Sequence, residues 1–257
     1  MSGLRWWFAD AVEMVRRNLL HIRRTPELLL DVTVQPIMFV LLFRYVFGGA
    51  ISTGETSYVN YLIPGIFVQT ITFAAVSTGA LLATDLTKGM IDRFRSLPMS
   101  QSAIITGRTF TDLLRGMLAI GVMTVVGVLI GFRPEGGLWH MVAAYGLLLA
   151  FGFSLAWIGV ALGALVRTPE AVYSMVFLAI FPLTFASSAF VPTDTMPSWL
   201  QAFAEVQPMT LTINAVRDFV LGGNGGPDLL PAIAWAVGIT VVAFPLSLYF
   251  YRRRTAQ

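Results

Sequence analysis

The chain of 257 residues contains no cysteine, a single lysine and two histidines, and only 12% of it is charged. Without cysteine there is no disulfide, no thiolate metal site and no thiol nucleophile. His21 and His140 lie far apart in sequence, so the paired imidazoles of a zinc hydrolase are missing. No cluster of aspartates is present that could hold a metal-bound diphosphate. The phosphate-cradling loop G-x-x-x-x-G-K-[ST] is absent as well. The lone Lys88 follows Thr87 and precedes Gly89, and Leu82 stands where the first glycine belongs. No catalytic residue set and no cofactor or metal site can be assigned, and any ATP-driven work falls to another chain.

Soluble domains carry about 25% charged residues. Here the charge deficit accompanies 56% hydrophobic residues and a mean hydropathy of +0.74, which places the chain in a membrane. The net charge of +3 needs no nucleic-acid partner, because basic cytoplasmic loops produce the same excess. Six apolar segments, 28–50, 59–83, 109–131, 141–166, 171–191 and 231–251, are each long enough to cross a bilayer. Connections between them carry Gly54, Gly136, Gly137, Pro192 and Pro197. The expected fold is therefore an all-α integral membrane protein of six transmembrane helices, forming one domain over 1–257.

Residues 4–24 precede the first span as an amphipathic helix. Trp7, Phe8, Ala11, Val12, Val15, Leu19 and Ile22 fall on one arc; Arg5, Glu13, Arg16, Arg17, His21, Arg23 and Arg24 fall opposite. An aromatic apolar face backed by a basic one suits the membrane interface. A soluble helix docked on a partner gives the same pattern. Thirteen of the seventeen basic residues lie before the first span, between the second and third, between the fourth and fifth, or after the sixth. Both termini are thus expected in the cytoplasm of a multi-pass plasma-membrane protein.

Arg-Thr-Pro-Glu occurs twice, at 24–27 and 167–170, each time before a span that leaves the cytoplasm. Threonine can cap a helix, proline suits its first position and glutamate complements its dipole. Between the second and third spans, 89–98 reads as a short amphipathic helix. Met90, Ile91, Phe94 and Leu97 form one face, with Lys88, Asp92 and Arg95 on the other. Inside the spans, Gln69 and Thr72 share a face with Gly65, Val76 and Gly79, and Thr184, Ser187 and Ser188 share an arc. Such faces suit helix packing or a translocation path. Asp31, Gln35 and Arg44 are further polar residues of the first span. Arg108, Asp112 and Arg115 form a charged stripe at the start of the third. The segment 192–230 is too long for a turn and carries two apolar stretches, so it is expected to be helical.

The run Gly89-Met90-Ile91-Asp92-Arg93-Phe94-Arg95-Ser96-Leu97-Pro98, continued through Gly107-Arg108 and Asp112, resembles the intracellular loop of ABC-2-type transport permeases. The similarity is greatest to the daunorubicin-resistance-type drug exporters. It extends over nearly the whole chain, including Phe190-Val191-Pro192, Met196-Pro197, Trp199-Leu200 and the stretch from Pro208 to Arg217. Where the family has Asn-Pro in the last external segment, this chain has Gln207-Pro208.

The resemblance implies a permease subunit that pairs with a second permease subunit and with two cytoplasmic P-loop ATPases, which hold the ATP and magnesium. It implies that Gly89, Asp92, Arg93, Phe94, Arg95, Leu97 and Pro98 couple the permease to the ATPase. Arg167, Thr168, Pro169 and Glu170 would make a second cytoplasmic contact. The segment 192–230 would form short helices dipping back from the outside. The cargo would be a hydrophobic or amphipathic compound: a drug, a lipid or a lipid-linked glycan. From the residues alone, a six-span secondary transporter, channel or translocase subunit that works without an ATPase remains an alternative, since Pro36, Pro64, Pro182 and Pro245 could break helices as carriers do.

Overall fold

A computed structural model describes residues 27–51, 56–87, 101–166 and 168–255. The interfacial helix expected over 4–24, the coupling segment 89–98 and Arg167 lie outside the described residues. Among the described residues every regular element is helical. Helix α1 spans Glu27–Leu42 and continues as a π-helical turn over Phe43–Phe47. It is followed by α2 (Tyr58–Thr87), α3 (Gln101–Ile130), α4 (Leu138–Leu165) and α5 (Pro169–Phe185). A short 3-10 turn at Thr193–Thr195 leads into α6 (Ser198–Val206), α7 (Pro208–Val220) and α8 (Leu229–Thr255). The stretches Tyr58–Thr84, Leu138–Leu165 and Leu229–Arg254 are long and apolar enough to cross a membrane, whereas Val34–Phe47, Leu114–Ile130 and Pro169–Phe185 are shorter apolar helices.

Helix starts and stops follow local chemistry. The Ser57 hydroxyl accepts from the Asn60 amide at 3.3 Å at the start of α2. Gly131, at φ +112°, ends α3 in a conformation that favours glycine, and the Phe132 amide returns to the Gly127 carbonyl at 2.8 Å. The Thr168 hydroxyl accepts from Ala171 N at 3.3 Å, with Pro169 and Glu170 opening α5. The second Arg-Thr-Pro-Glu copy is therefore a helix start, as its residues suggest.

Helix α2 runs through the middle of the bundle, packed by α1, α3, α4, α5 and α7. Being apolar on every side, it is buried on nearly every side. Its crossing with α4 is made by small residues. A Cβ on Gly79 would overlap the carbonyl of Gly159, and one on Gly163 would overlap the carbonyl of Gly79. Farther along α2, a Cβ on Gly65 would meet the backbone of Ala189. In a bilayer, where apolar surface alone drives no association, this backbone approach gives the dispersion contacts that hold helices together.

Among the described residues helix α8 packs mainly on α4 and α7. Trp157 and Phe244 meet edge to face at 4.7 Å between centroids. The opposite side of α8 exposes Trp235, Val237, Val241, Val242 and Tyr249, an apolar strip suited to lipid. At its far end Arg254 reaches back to α4, donating to the carbonyls of Gly163 (3.1 Å), Ala164 (3.2 Å) and Val166. These include carbonyls left free where the helix ends, and a cation there also favours the helix dipole. Replacing Arg254 by methionine should lower stability by about 1–2 kcal/mol, seen as a lower melting midpoint in detergent, and lysine should restore part of it. An unchanged midpoint would rule out the clasp.

The structure corrects one boundary and extends others. The fifth apolar segment, expected to run helically to 191, leaves the helix after Phe185, and 186–190 form a turn. Helix α3 begins at Gln101, before the expected 109, and α8 covers 229–255 around the expected 231–251.

Candidate translocation groove and the polar lock beside it

Helices α1, α2 and α5 enclose a groove of about 930 Å³, near the upper end of the range for small-molecule sites. Its walls are mainly apolar. Met38 and Phe39 come from α1, Phe73 and Ala74 from α2, and Tyr173 and Phe177 from α5. Among the described residues, none that lines it is charged. Its polar groups are few, and two of them are occupied by their own helix: Thr70 donates to the Ile66 carbonyl at 2.7 Å and Ser77 to the Phe73 carbonyl at 3.4 Å. Gln69 differs from these. It is only 4% exposed, lines the groove, and its side-chain carbonyl oxygen is buried without a hydrogen-bond partner among the described residues.

At one end of the bundle the start of α2, the turn after α5 and helix α7 are tied by a polar network. Arg217 on α7 donates through Nε to the Tyr61 carbonyl (3.2 Å), through Nη1 to Asn214 Oδ1 (2.9 Å) and through Nη2 to the Ser188 carbonyl (2.7 Å). Its guanidinium carbon lies 3.7 Å from the centre of the Tyr61 ring. Burial pushes Arg217 below its ordinary value, but a guanidinium starts so high that it stays cationic. Asn214 also accepts from the Ser188 hydroxyl (2.7 Å) and donates to Asp228 (2.8 Å), just ahead of α8.

Gln207 caps α7 by accepting from Met209 N at 3.3 Å. Its amide nitrogen donates to the carbonyls of Leu183 and Ala186, each at 3.0 Å. Asn60 closes the same end by exchanging two hydrogen bonds with the backbone of Arg133, at 2.9 and 3.2 Å.

The residues singled out in the sequence separate accordingly. Gln69 lines the groove. The other four are buried within the protomer with their hydroxyls satisfied. Thr72 donates to Val68, Thr184 to Ile180, Ser187 to Thr184 and Ser188 to Asn214. Arg115 is buried, and its Nε and Nη2 have no partner among the described residues. The side chains of Asp31, Arg108 and Asp112 lie outside that set. No group of histidine or acidic residues suited to a metal occurs among the described residues. Sequence reasoning noted Gln207 and Arg217 within the resembling stretch but gave neither a role, and it did not single out Asn214 or Asp228. A signal was available, since Arg217 is the only Lys or Arg between 168 and 251.

The described residues thus form an all-helical bundle with long apolar helices and an apolar groove, as suits a membrane protein. The family model for the ABC-2 type transporter matches residues 11–221, and the chain belongs to that family. It is 36% identical over 241 residues to the daunorubicin resistance ABC transporter permease protein DrrB1 of Streptomyces coeruleorubidus, covering 94% of this chain and 85% of that one. It is 26% identical to the probable doxorubicin resistance ABC transporter permease protein DrrC of Mycobacterium tuberculosis, covering 99% and 92%. It is also 26% identical to the putative transport permease ycf38 of Cyanophora paradoxa, covering 79% and 71%. The chain is thus the membrane permease subunit of an ABC transporter and not itself an ATPase.

Proposed function

We propose that this subunit forms, with a second permease subunit, the path by which an amphipathic compound leaves the cytoplasm or inner leaflet, driven by two cytoplasmic P-loop ATPases that carry the ATP and magnesium. The observation that carries this reading is the groove between α1, α2 and α5, open and apolar with a few uncharged polar groups. Such a lining suits a drug-like or lipid-like body better than an ionic solute or a polar glycan chain. The drug-resistance names of the relatives point the same way.

In this arrangement the six apolar helices cross the plasma membrane six times and both termini are cytoplasmic. The first helical residues, 4–24, lie in the interface. The α6–α7 pair sits at the external end, where the lock around Arg217 closes the bundle. The segment 89–98 docks into the ATPase through Gly89, Asp92, Arg93, Phe94, Arg95, Leu97 and Pro98, with 167–170 as a second contact. Transport then requires that the ATPases bind one state of the permease more tightly than the other.

Purification from native membranes in mild detergent should yield a stoichiometric P-loop protein. Replacing Asp92, Arg93 and Arg95 together by alanine should remove that companion. The double variant Asp92→Ala/Arg93→Ala should assemble yet lower ATP-driven efflux by about tenfold. Recovery without any ATPase, or undiminished efflux in the double variant, would overturn the scheme.

A further inference from the structure

We propose that Gln69 is the specificity residue of the groove: its buried side-chain carbonyl accepts a hydrogen bond from an ammonium, amine or hydroxyl group on an otherwise apolar substrate. This rests on reading the groove as the substrate path. Two independent observations meet at this residue. One is the open cavity of about 930 Å³. The other is an amide oxygen 4% exposed at the residue level, set in the cavity wall and unpartnered among the described residues.

A merely structural glutamine would be an expensive choice here. Leaving a buried acceptor unpaired forfeits its hydrogen bond to water with nothing in return, whereas an apolar side chain of the same shape can be neutral or stabilising. The neighbouring hydroxyls of α2 avoid that cost. Thr70, Thr72 and Thr84 each donate to the carbonyl one turn back. Gln69 Oε1 can only accept, so it needs a donor; Gln35, Tyr173 and Ser174 also line the groove, but among the described residues none hydrogen-bonds it.

The ligand class follows from the same lining. Among the described residues no Asp or Glu lines the groove, so none of them neutralises a positive charge there. The site therefore does not require a cation. It distinguishes an apolar body that carries a donor from one that does not. A site that hydrogen-bonds its substrate rejects the analogue lacking that group, because its own polar atom is then left bare.

Two lipophilic cationic dyes of similar size make the test. Rhodamine 6G carries two N–H donors, and rhodamine B ethyl ester carries none. Uptake of each into inside-out vesicles containing the permease with its ATPases is measured for wild type, Gln69→Leu, Gln69→Glu and Ser174→Trp. Ser174 is exposed in the groove wall, so tryptophan narrows the cavity without entering the core.

Wild type should show the lower KM for rhodamine 6G. Gln69→Leu should raise that value by about tenfold while leaving the ester unchanged, and Gln69→Glu, which keeps an acceptor, should preserve the preference. Ser174→Trp should impair both dyes. Equal losses for both dyes in Gln69→Leu, no change for either, or no preference in wild type overturn the role of Gln69 while the groove stands. Undiminished export of both dyes by Ser174→Trp, or export of neither by wild type, removes the groove reading and this inference with it.

Discussion

Gly79→Leu should abolish recovery of folded permease, and Gly79→Ala should already lower its stability by about 3 kcal/mol, the upper end of ordinary overpacking. A side chain at 79 meets the Gly159 carbonyl, which is backbone and cannot rotate away, and Gly163 in turn approaches the Gly79 carbonyl. Relief requires α2 and α4 to separate over the crossing at the centre of the bundle, losing contacts on both sides at once. Gly238 on α8, beside which a Cβ would meet nothing within 4 Å, is the control, and Gly238→Leu should elute and melt like wild type. Monodisperse Gly79→Leu with an unshifted midpoint would show that the approach of α2 and α4 is not what holds the core.

The second large effect is expected from Arg217→Met. It leaves the Tyr61 and Ser188 carbonyls and Asn214 Oδ1 without their cationic donor. Hydrogen bonds to a charged group are each worth about 1.5–3 kcal/mol and do not add fully, so a loss of about 3 kcal/mol in all is expected. Lysine should recover only part, because an ammonium cannot match three separate directions while stacking on Tyr61. The absence of native cysteine makes a local test direct. Ala189→Cys, buried at 1% exposure, should resist an impermeant maleimide applied from outside, and the added Arg217→Met should make it react. Equal labelling in both backgrounds would dissociate Arg217 from closure of that end.

Local signals in the sequence were enough for much of the helix pattern. The Thr-Pro-Glu start of α5 and the apolar lengths of α4 and α8 are written in the local sequence. The end of α5 could not be read in this way. Ala186 to Val191 continues the apolar run, yet the carbonyls of Leu183 and Ala186 bond Gln207, and that of Ser188 bonds Arg217. Those partners lie on α7, more than twenty residues away, and hydropathy carries no record of them. Gln69 stood out as a polar residue in an apolar span. That it lines the groove, while Thr72, Thr184, Ser187 and Ser188 do not, depends on how α1 and α5 flank α2.

Helix α8 is fastened at both ends. Beside its start, Asp228 accepts from Asn214 on α7, and near its other end Arg254 grips the last carbonyls of α4. Its 27 residues reach about 40 Å, against about 30 Å of hydrocarbon in a typical bilayer. A free helix meets a thinner membrane by tilting on its own. Tied to α4 and α7 at both ends, α8 could not tilt alone to meet a thinner membrane, and the strain of doing so would be shared by α4 and α7.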